Sequence, residues 1–187
     1  MALTHTPAPE LGTPCPDFTL KGIDGRTYSR ADFAGSEAFL VMFICVHCPY
    51  VVAVEDRLIE LARELAGKPV KIIAICANDG VRYPADSFAS MKTHALDKDY
   101  PFPYLHDETQ DVARAFGAVC TPDFFLYDSK FRLAYRGRLD DSWKDAAHVC
   151  TQELKTAIAA LLLGESPSRE QKPSMGCSIK WKEHLKP

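Results

Sequence analysis

The feature that most limits how this chain can fold is the run Cys45-Val46-His47-Cys48-Pro49, together with what stands on either side of it. The residues before it, Ala38 to Ile44, are continuously apolar. From Tyr50 to about Ala66 apolar residues recur at helical spacing, with Val51, Val54, Leu58, Leu61 and Leu65 on one face and Glu55, Asp56, Glu60, Arg63 and Glu64 on the other. The cysteine pair is therefore expected at a strand-to-helix junction, with Cys45 at or just before the first helical turn. The first amides of a helix lack intrahelical partners, and with the helix dipole they favour a negative charge such as a thiolate. On this reading Cys45 is the more exposed and more acidic thiol, and two thiols three positions apart can close a disulfide.

A chain of 187 residues is expected to form one domain with a sizeable core. Apolar residues at 47% and charged residues at 25% suit a globular protein, and a net charge of -3 gives no reason to expect nucleic acid or an anionic membrane as partner. No secretory signal is visible in Met1 to Leu11, and no apolar run approaches the roughly 20 residues of a membrane helix. The seven cysteines are scattered and odd in number, which fits reduced, buried or reactive thiols in a cytoplasmic setting better than a disulfide framework.

The boundaries expected are an N-terminal arm over 1–13, a domain over 14–164 and a C-terminal tail over 165–187 packed on that domain. Pro7, Pro9, Pro14 and Pro16 make the start extended. Asp17 to Leu20 and Thr27-Tyr28 read as a hairpin around Asp24-Gly25, and Ser29 caps a short turn through Phe33. Ala38–Ile44 is a strand buried on both faces, and Val70–Cys76 follows it by a right-handed parallel crossover. Asn78-Asp79-Gly80 lies at the carboxyl end of that second strand, where α/β proteins place their sites. A helix opened by Pro84 and Asp86 runs to Leu96, and a shorter one covers Thr109 to Phe116. Phe124 to Tyr127 and Phe131 to Tyr135 form an antiparallel pair, and Ala146 to Leu163 reads as one long helix containing Cys150.

The apolar strand, the Cys45/Cys48 pair and the later Cys120-Thr121-Pro122-Asp123 before a strand hairpin together resemble the thioredoxin-like superfamily over most of residues 14–163. The N-terminal hairpin and the helical insertion at Pro84–Leu96 make the chain similar to its peroxiredoxin-like and cytochrome-maturation-like branches, and Cys-x-His-Cys-Pro-Tyr with Cys-Thr-Pro-Asp resembles the peroxiredoxin-like AhpC/TSA or redoxin group. The resemblance implies an α/β fold with a central mixed sheet flanked by helices. It also implies that the Thr121–Pro122 bond is cis, that this loop lies against the cysteines, and that Thr121 offers its backbone to an extended substrate segment. The activity implied is thiol–disulfide exchange through a mixed disulfide, with Cys45 attacking and Cys48 resolving. The expected partners are protein or small-molecule disulfides or thiols and a thiol electron donor, with no cofactor, metal, nucleic acid or membrane.

The departures from the family shape the alternatives. Ile44 stands where thioredoxin has Trp, Val46-His47 where it has Gly-Pro, and no acid interrupts the strand before the pair, so proton transfer from Cys48 needs another group, Asp123 or water. Aligning Cys48 with the peroxide-attacking cysteine of peroxiredoxins puts Cys45 in the place of their threonine and Val41 in the place of their proline. A thiol peroxidase is thus the second reading. Arg136 and Arg138 read as surface charges, although a peroxidase would want one of them near the thiolate. His47 resembles the histidine before the second cysteine of protein disulfide isomerase, where it stabilises a thiolate; its plain alternative is an exposed loop residue.

A metal-binding or redox-sensing module is the third reading, with Cys45, His47, Cys48 and Cys120 as donors, but structural zinc usually needs a second ligand pair and none is visible. Cys76 and Cys150 read as small core residues and Cys15 as inert. Cys120 adjoins the loop of Pro122. Cys177, in Pro173-Ser174-Met175-Gly176-Cys177-Ser178-Ile179-Lys180-Trp181, is either part of a tail packed back by Ile179 and Trp181 or a third redox cysteine reaching Cys45 or Cys48.

Overall fold

The computed structural model describes residues 3–183. The chain opens with β1 (Leu3–His5), then a hairpin of β2 (Thr19–Gly22) and β3 (Thr27–Ser29) turning through Gly25 at φ 86°. A 3₁₀ turn over Arg30–Phe33 follows, its Asp32 carboxylate accepting from both the amide and the hydroxyl of Ser29. Next come β4 (Ala38–Phe43), α1 (Pro49–Val52), α2 (Glu55–Glu64), β5 (Val70–Cys76), α3 (Phe88–Asp97), β6 (Tyr104–His106) and α4 (Asp111–Phe116). The chain continues with β7 (Cys120–Thr121), β8 (Asp123–Asp128), β9 (Leu133–Tyr135), α5 (Glu153–Leu162) and β10 (Met175–Ser178).

Seven strands form the main sheet in the order β3-β2-β6-β5-β4-β8-β9. At its centre β4 pairs parallel with β5, placing Val41 opposite Ile73, and antiparallel with β8, placing Val41 opposite Phe125. The sheet is therefore mixed, as the resemblance implies. Every residue of β4 is buried because its two faces meet two cores. Leu40, Met42 and Ile44 point into one core with Cys45, Cys48, Val51 and Leu58. Phe39, Val41 and Phe43 point into the other, where Phe33 stacks on Phe39 at 4.7 Å and Phe116 meets the edges of Phe43 and Phe125. A second sheet, β1-β10-β7, joins both ends of the chain to the loop of Pro122.

Three helices differ from expectation. The helix after the cysteines breaks at Ala53-Val54, although Val51, Val54, Leu58, Leu61 and Leu65 are all buried as the periodicity requires. Val51, Val52 and Val54 are β-branched and stiff in a helix, and the Arg57 guanidinium donates to the freed Ala53 carbonyl at 3.3 Å. The insertion starts at Ser87, whose hydroxyl accepts the Ser90 amide, while Pro84–Asp86 forms a separate 3₁₀ turn. The span from Ala146 to Leu163 is not one helix. A 3₁₀ turn over Ala146–His148 is followed by extended Val149, and α5 begins only at Glu153. The Asp141 carboxylate takes the Cys150 amide at 2.9 Å, a local bond that competes with helix, and Cys150 is exposed rather than in the core.

Candidate functional site

The two cysteines follow β4 across a short turn. Cys48, not Cys45, stands at the helix N-terminus, as the residue capping α1. Both are buried, at 2% and 0% exposure, so neither sulfur is open to solvent. The two thiols lie close enough for the ionisation of one to bear on the other. Both also meet Thr121: its hydroxyl lies 3.3 Å from Cys45 Sγ, and its carbonyl accepts from Cys48 Sγ at 3.1 Å. The Thr121–Pro122 bond is cis.

The two thiols influence each other, so that a charge on one favours a proton on the other. Hydrogen bonding from Cys45, then from Thr121 and from the side chain and amide of Cys177, brings the Cys48 thiol down to about 4 against the pull of burial. Cys45 moves the other way, raised by its bond to Cys48, by burial and by the nearby charge of Asp86. A carboxylate that accepts the Val46 and His47 amides, rather than free helix amides, stands beside Cys45, and Cys48 donates to the Thr121 carbonyl as a thiol.

Local sequence marks Asp86 only as a helix opener. Its Oδ1 accepts the amides of Val46 and His47 at 2.9 and 3.3 Å, and its Oδ2 accepts from Asn78 Nδ2 at 2.7 Å and lies 2.6 Å from His47 Nδ1. It is fully buried. His47 is stacked parallel to Tyr83 at 5.7 Å, so it is a placed residue rather than a loose one. Asn78 passes the network on, its Oδ1 accepting the Lys180 amide at 2.8 Å. The loop 78–80 was marked by its position after β5, but nothing local in the sequence ties Asp86 to a cysteine turn 40 residues away.

The remaining candidates separate from the pair. Both Asp123 oxygens are held by Arg136, at 3.2 and 2.9 Å, and Arg136 lies over the Phe125 ring at 4.4 Å. Arg136 is buried at 7%, which corrects its reading as a surface charge; Arg138 is half-buried and binds Glu153. Cys120 points its sulfur at the Pro122 carbonyl, and burial raises its thiol. Cys177 joins the site: β10 runs antiparallel to β7 with Cys177 opposite Thr121. The Thr121 backbone, expected to face a substrate, is thus paired with the chain's own tail. A groove of about 320 Å³ is lined by Pro122, Met175, Tyr50 and Trp143, the rings of the last two meeting at 4.4 Å.

Cys45, His47 and Asp86 bring a sulfur, a nitrogen and a carboxylate oxygen within 4.8 Å of one another, a set of donors that could receive a metal ion. Asp86 already accepts three N–H donors, which leaves it little capacity for one. Among the described residues no helix is long and apolar enough to cross a membrane.

Two solved structures of similar length superpose on the whole chain. A hypothetical protein of Sinorhizobium meliloti 1021 is 39% identical over 96% of this chain and 99% of that one, with a TM-score of 0.92. An uncharacterized conserved protein of Geobacillus kaustophilus is 42% identical over 98% of each chain, also at 0.92. A putative thioredoxin of Neisseria meningitidis is 26% identical over 65% of this chain and 77% of that one, at 0.57. No curated protein matches at a significant level. The match to the AhpC/TSA family runs from residue 11 to residue 136, from before the β2–β3 hairpin to past the loop of Pro122, and the chain therefore belongs to that family, within the thioredoxin-like fold.

Proposed function

We propose that the protein is a thiol–disulfide oxidoreductase that cycles Cys45 and Cys48 between dithiol and disulfide through a mixed disulfide. The observation that carries this reading is that both thiols of the Cys-x-x-Cys turn meet one residue, Thr121, through its hydroxyl and its carbonyl. Cys48, which caps α1 and whose thiol its neighbours lower, takes the attacking role once it releases the proton it donates to Thr121, and Cys45 takes the resolving one, the reverse of the order expected above. The Cys48 thiolate attacks one sulfur of a substrate disulfide, that S–S bond breaks, and the other sulfur leaves and takes a proton. Cys45 then releases its proton and attacks Cys48, and the second substrate sulfur leaves. Two electrons have passed to the substrate, and a thiol donor restores the pair by the same steps in reverse. Both sulfurs lie below the surface, so a bulky substrate reaches them when the Val46–His47 turn or β10 shifts. Protein or small-molecule disulfides are the proposed substrates, and a reducing cytoplasm is the proposed setting.

The test is reduction of insulin with dithiothreitol, beside stopped-flow mixing with hydrogen peroxide. Catalysed insulin reduction that is lost in Cys48→Ser supports the reading. Fast peroxide oxidation without disulfide reductase activity overturns it in favour of a thiol peroxidase. One observation favours that second reading: the acidic, fully buried thiol is Cys48, the cysteine that aligns with the peroxide-attacking one. Against it, Arg136 is committed to Asp123 and Arg138 to Glu153, and neither donates to Cys48.

A further inference from the structure

β10 follows the path that an extended substrate segment would take beside Thr121. Its register puts Cys177 opposite Thr121, the residue whose hydroxyl and carbonyl hold Cys45 and Cys48. Gly176 allows the close approach, since a Cβ there would stand 1.9 Å from the Thr121 carbonyl oxygen. Bonds on both sides fix the strand: Ser174 Oγ donates to the Pro122 carbonyl at 2.9 Å, the Ile179 amide to the Val119 carbonyl at 3.1 Å, and the Lys180 amide to Asn78. On the far side β1 pairs with β10, with Leu3 opposite Cys177. Cys177 is 3% exposed and stands beside Cys48, whose thiol it helps to lower. Cys48 therefore has a thiol on each side, Cys45 within its own turn and Cys177 from the tail.

We propose that Cys177 is an internal exchange partner of Cys48, so that the oxidised protein distributes its disulfide between Cys45–Cys48 and Cys48–Cys177. The inference rests on the redox reading of the Cys45/Cys48 pair. In the exchange, Cys177 gives up its proton and its thiolate attacks Cys48 Sγ of the Cys45–Cys48 disulfide. The Cys48–Cys177 bond forms, the Cys45–Cys48 bond breaks, and Cys45 leaves as a thiolate that takes the proton. The protein neither gains nor loses electrons in this step. Burial, then the bond to Cys48 and its negative charge, raise the Cys177 thiol to about 11 while the pair is reduced. Oxidation removes the charge on Cys48, so Cys177 becomes easier to ionise when its target disulfide exists. The product stores the disulfide in the tail and returns Cys45 as a thiol.

The experiment is disulfide mapping of the full chain after oxidation with glutathione disulfide, with remaining thiols blocked by N-ethylmaleimide. Cys45 and Cys48 share the tryptic peptide 31–57, whereas a bond to Cys177 joins that peptide to peptide 170–180. The wild type is expected to give both the internally bridged peptide and the joined pair. Cys45→Ser is expected to give the joined pair as its main product, because Cys177 resolves the glutathione adduct on Cys48. Cys177→Ser is expected to lose the joined pair and keep the 45–48 bridge. A wild type that forms the 45–48 bridge alone, or a Cys45→Ser protein that stops at the glutathione adduct, overturns the proposal and leaves the oxidoreductase reading standing. Oxidised protein with neither bond overturns both.

Discussion

At the scale of single residues, a buried carboxylate that accepts the amides of Val46 and His47 sets the character of the turn between the cysteines. The bond to Cys48, burial and the Asp86 charge raise the Cys45 thiol, while the bonds from Cys45, Thr121 and Cys177 lower that of Cys48. Reducing the disulfide near neutral pH should then take up two electrons and a single proton. The reduction potential should fall by about 30 mV per pH unit, half of the roughly 59 mV expected when both thiols are protonated. A redox titration against dithiothreitol at several pH values checks this, and a slope near the larger figure would place protons on both sulfurs. Asp86→Asn removes one of the causes that hold Cys45 protonated. Its thiol should ionise at lower pH, seen as an earlier rise in ultraviolet thiolate absorbance, and a Cys45 unmoved by the change would exclude Asp86 as the source of the asymmetry. The sequence made Cys45, Cys48, Thr121 and Pro122 legible, because their chemistry travels in short motifs. Asp86 is hidden because an aspartate two residues after a proline and just before a serine reads locally as a helix start, and only the path of the chain turns it toward the cysteines.

At the scale of elements, strands and turns were readable where pattern and propensity agree. Apolar β4 and β5, the Asp24-Gly25 hairpin and the turn through Phe33 follow from residues in the segment itself. β10 does not. Met175-Gly176-Cys177-Ser178 has no alternation and includes Gly and Ser, which are poor strand formers, and it becomes a strand because β1 and β7 flank it on both sides. The lost helix over 149–152 has a comparable origin, since Asp141 claims an amide that helical periodicity assigns to the backbone. The dependence of β10 on close approach gives a test. In Gly176→Ala the added methyl meets backbone, the Thr121 carbonyl, so the strand must move off β7. A loss of about 1–3 kcal/mol is expected, in the range of overpacking a well-fitted contact. Proteolysis within the tail and alkylation of Cys48 by iodoacetamide should both become faster, whereas unchanged rates would mean that β10 does not cover the pair.

At the scale of the whole molecule, the sheet separates two cores, and each contains a thiol that takes no part in the proposed chemistry. Cys15 lies in the aromatic core with Phe18 and Phe33, and Cys76 lies in the core that includes the reactive pair. Both are almost wholly inaccessible, and burial raises each to about 12. In the unfolded chain an ordinary thiol ionises near pH 8.5, so above that value the unfolded state binds fewer protons than the folded one. A folded pKa above the unfolded one gives stability that is complete below the unfolded value and is lost as pH rises toward the folded value. Each thiol should therefore lower stability by up to about 1.4 kcal/mol per pH unit across that window. Cys48 acts in the opposite sense: its folded pKa of about 4 lies below the unfolded one, so its contribution is complete above the unfolded value and is lost as pH falls toward 4. Thermal unfolding of the reduced protein should accordingly show a midpoint that falls as pH rises from about 9 to 11. Cys76→Ala should make that fall shallower, Cys15→Ala should do the same from the other core, and the double variant should combine the two effects because the sites share no contacts across the sheet. An alkaline slope unaffected by either substitution would mean that the two thiols already ionise within the folded cores.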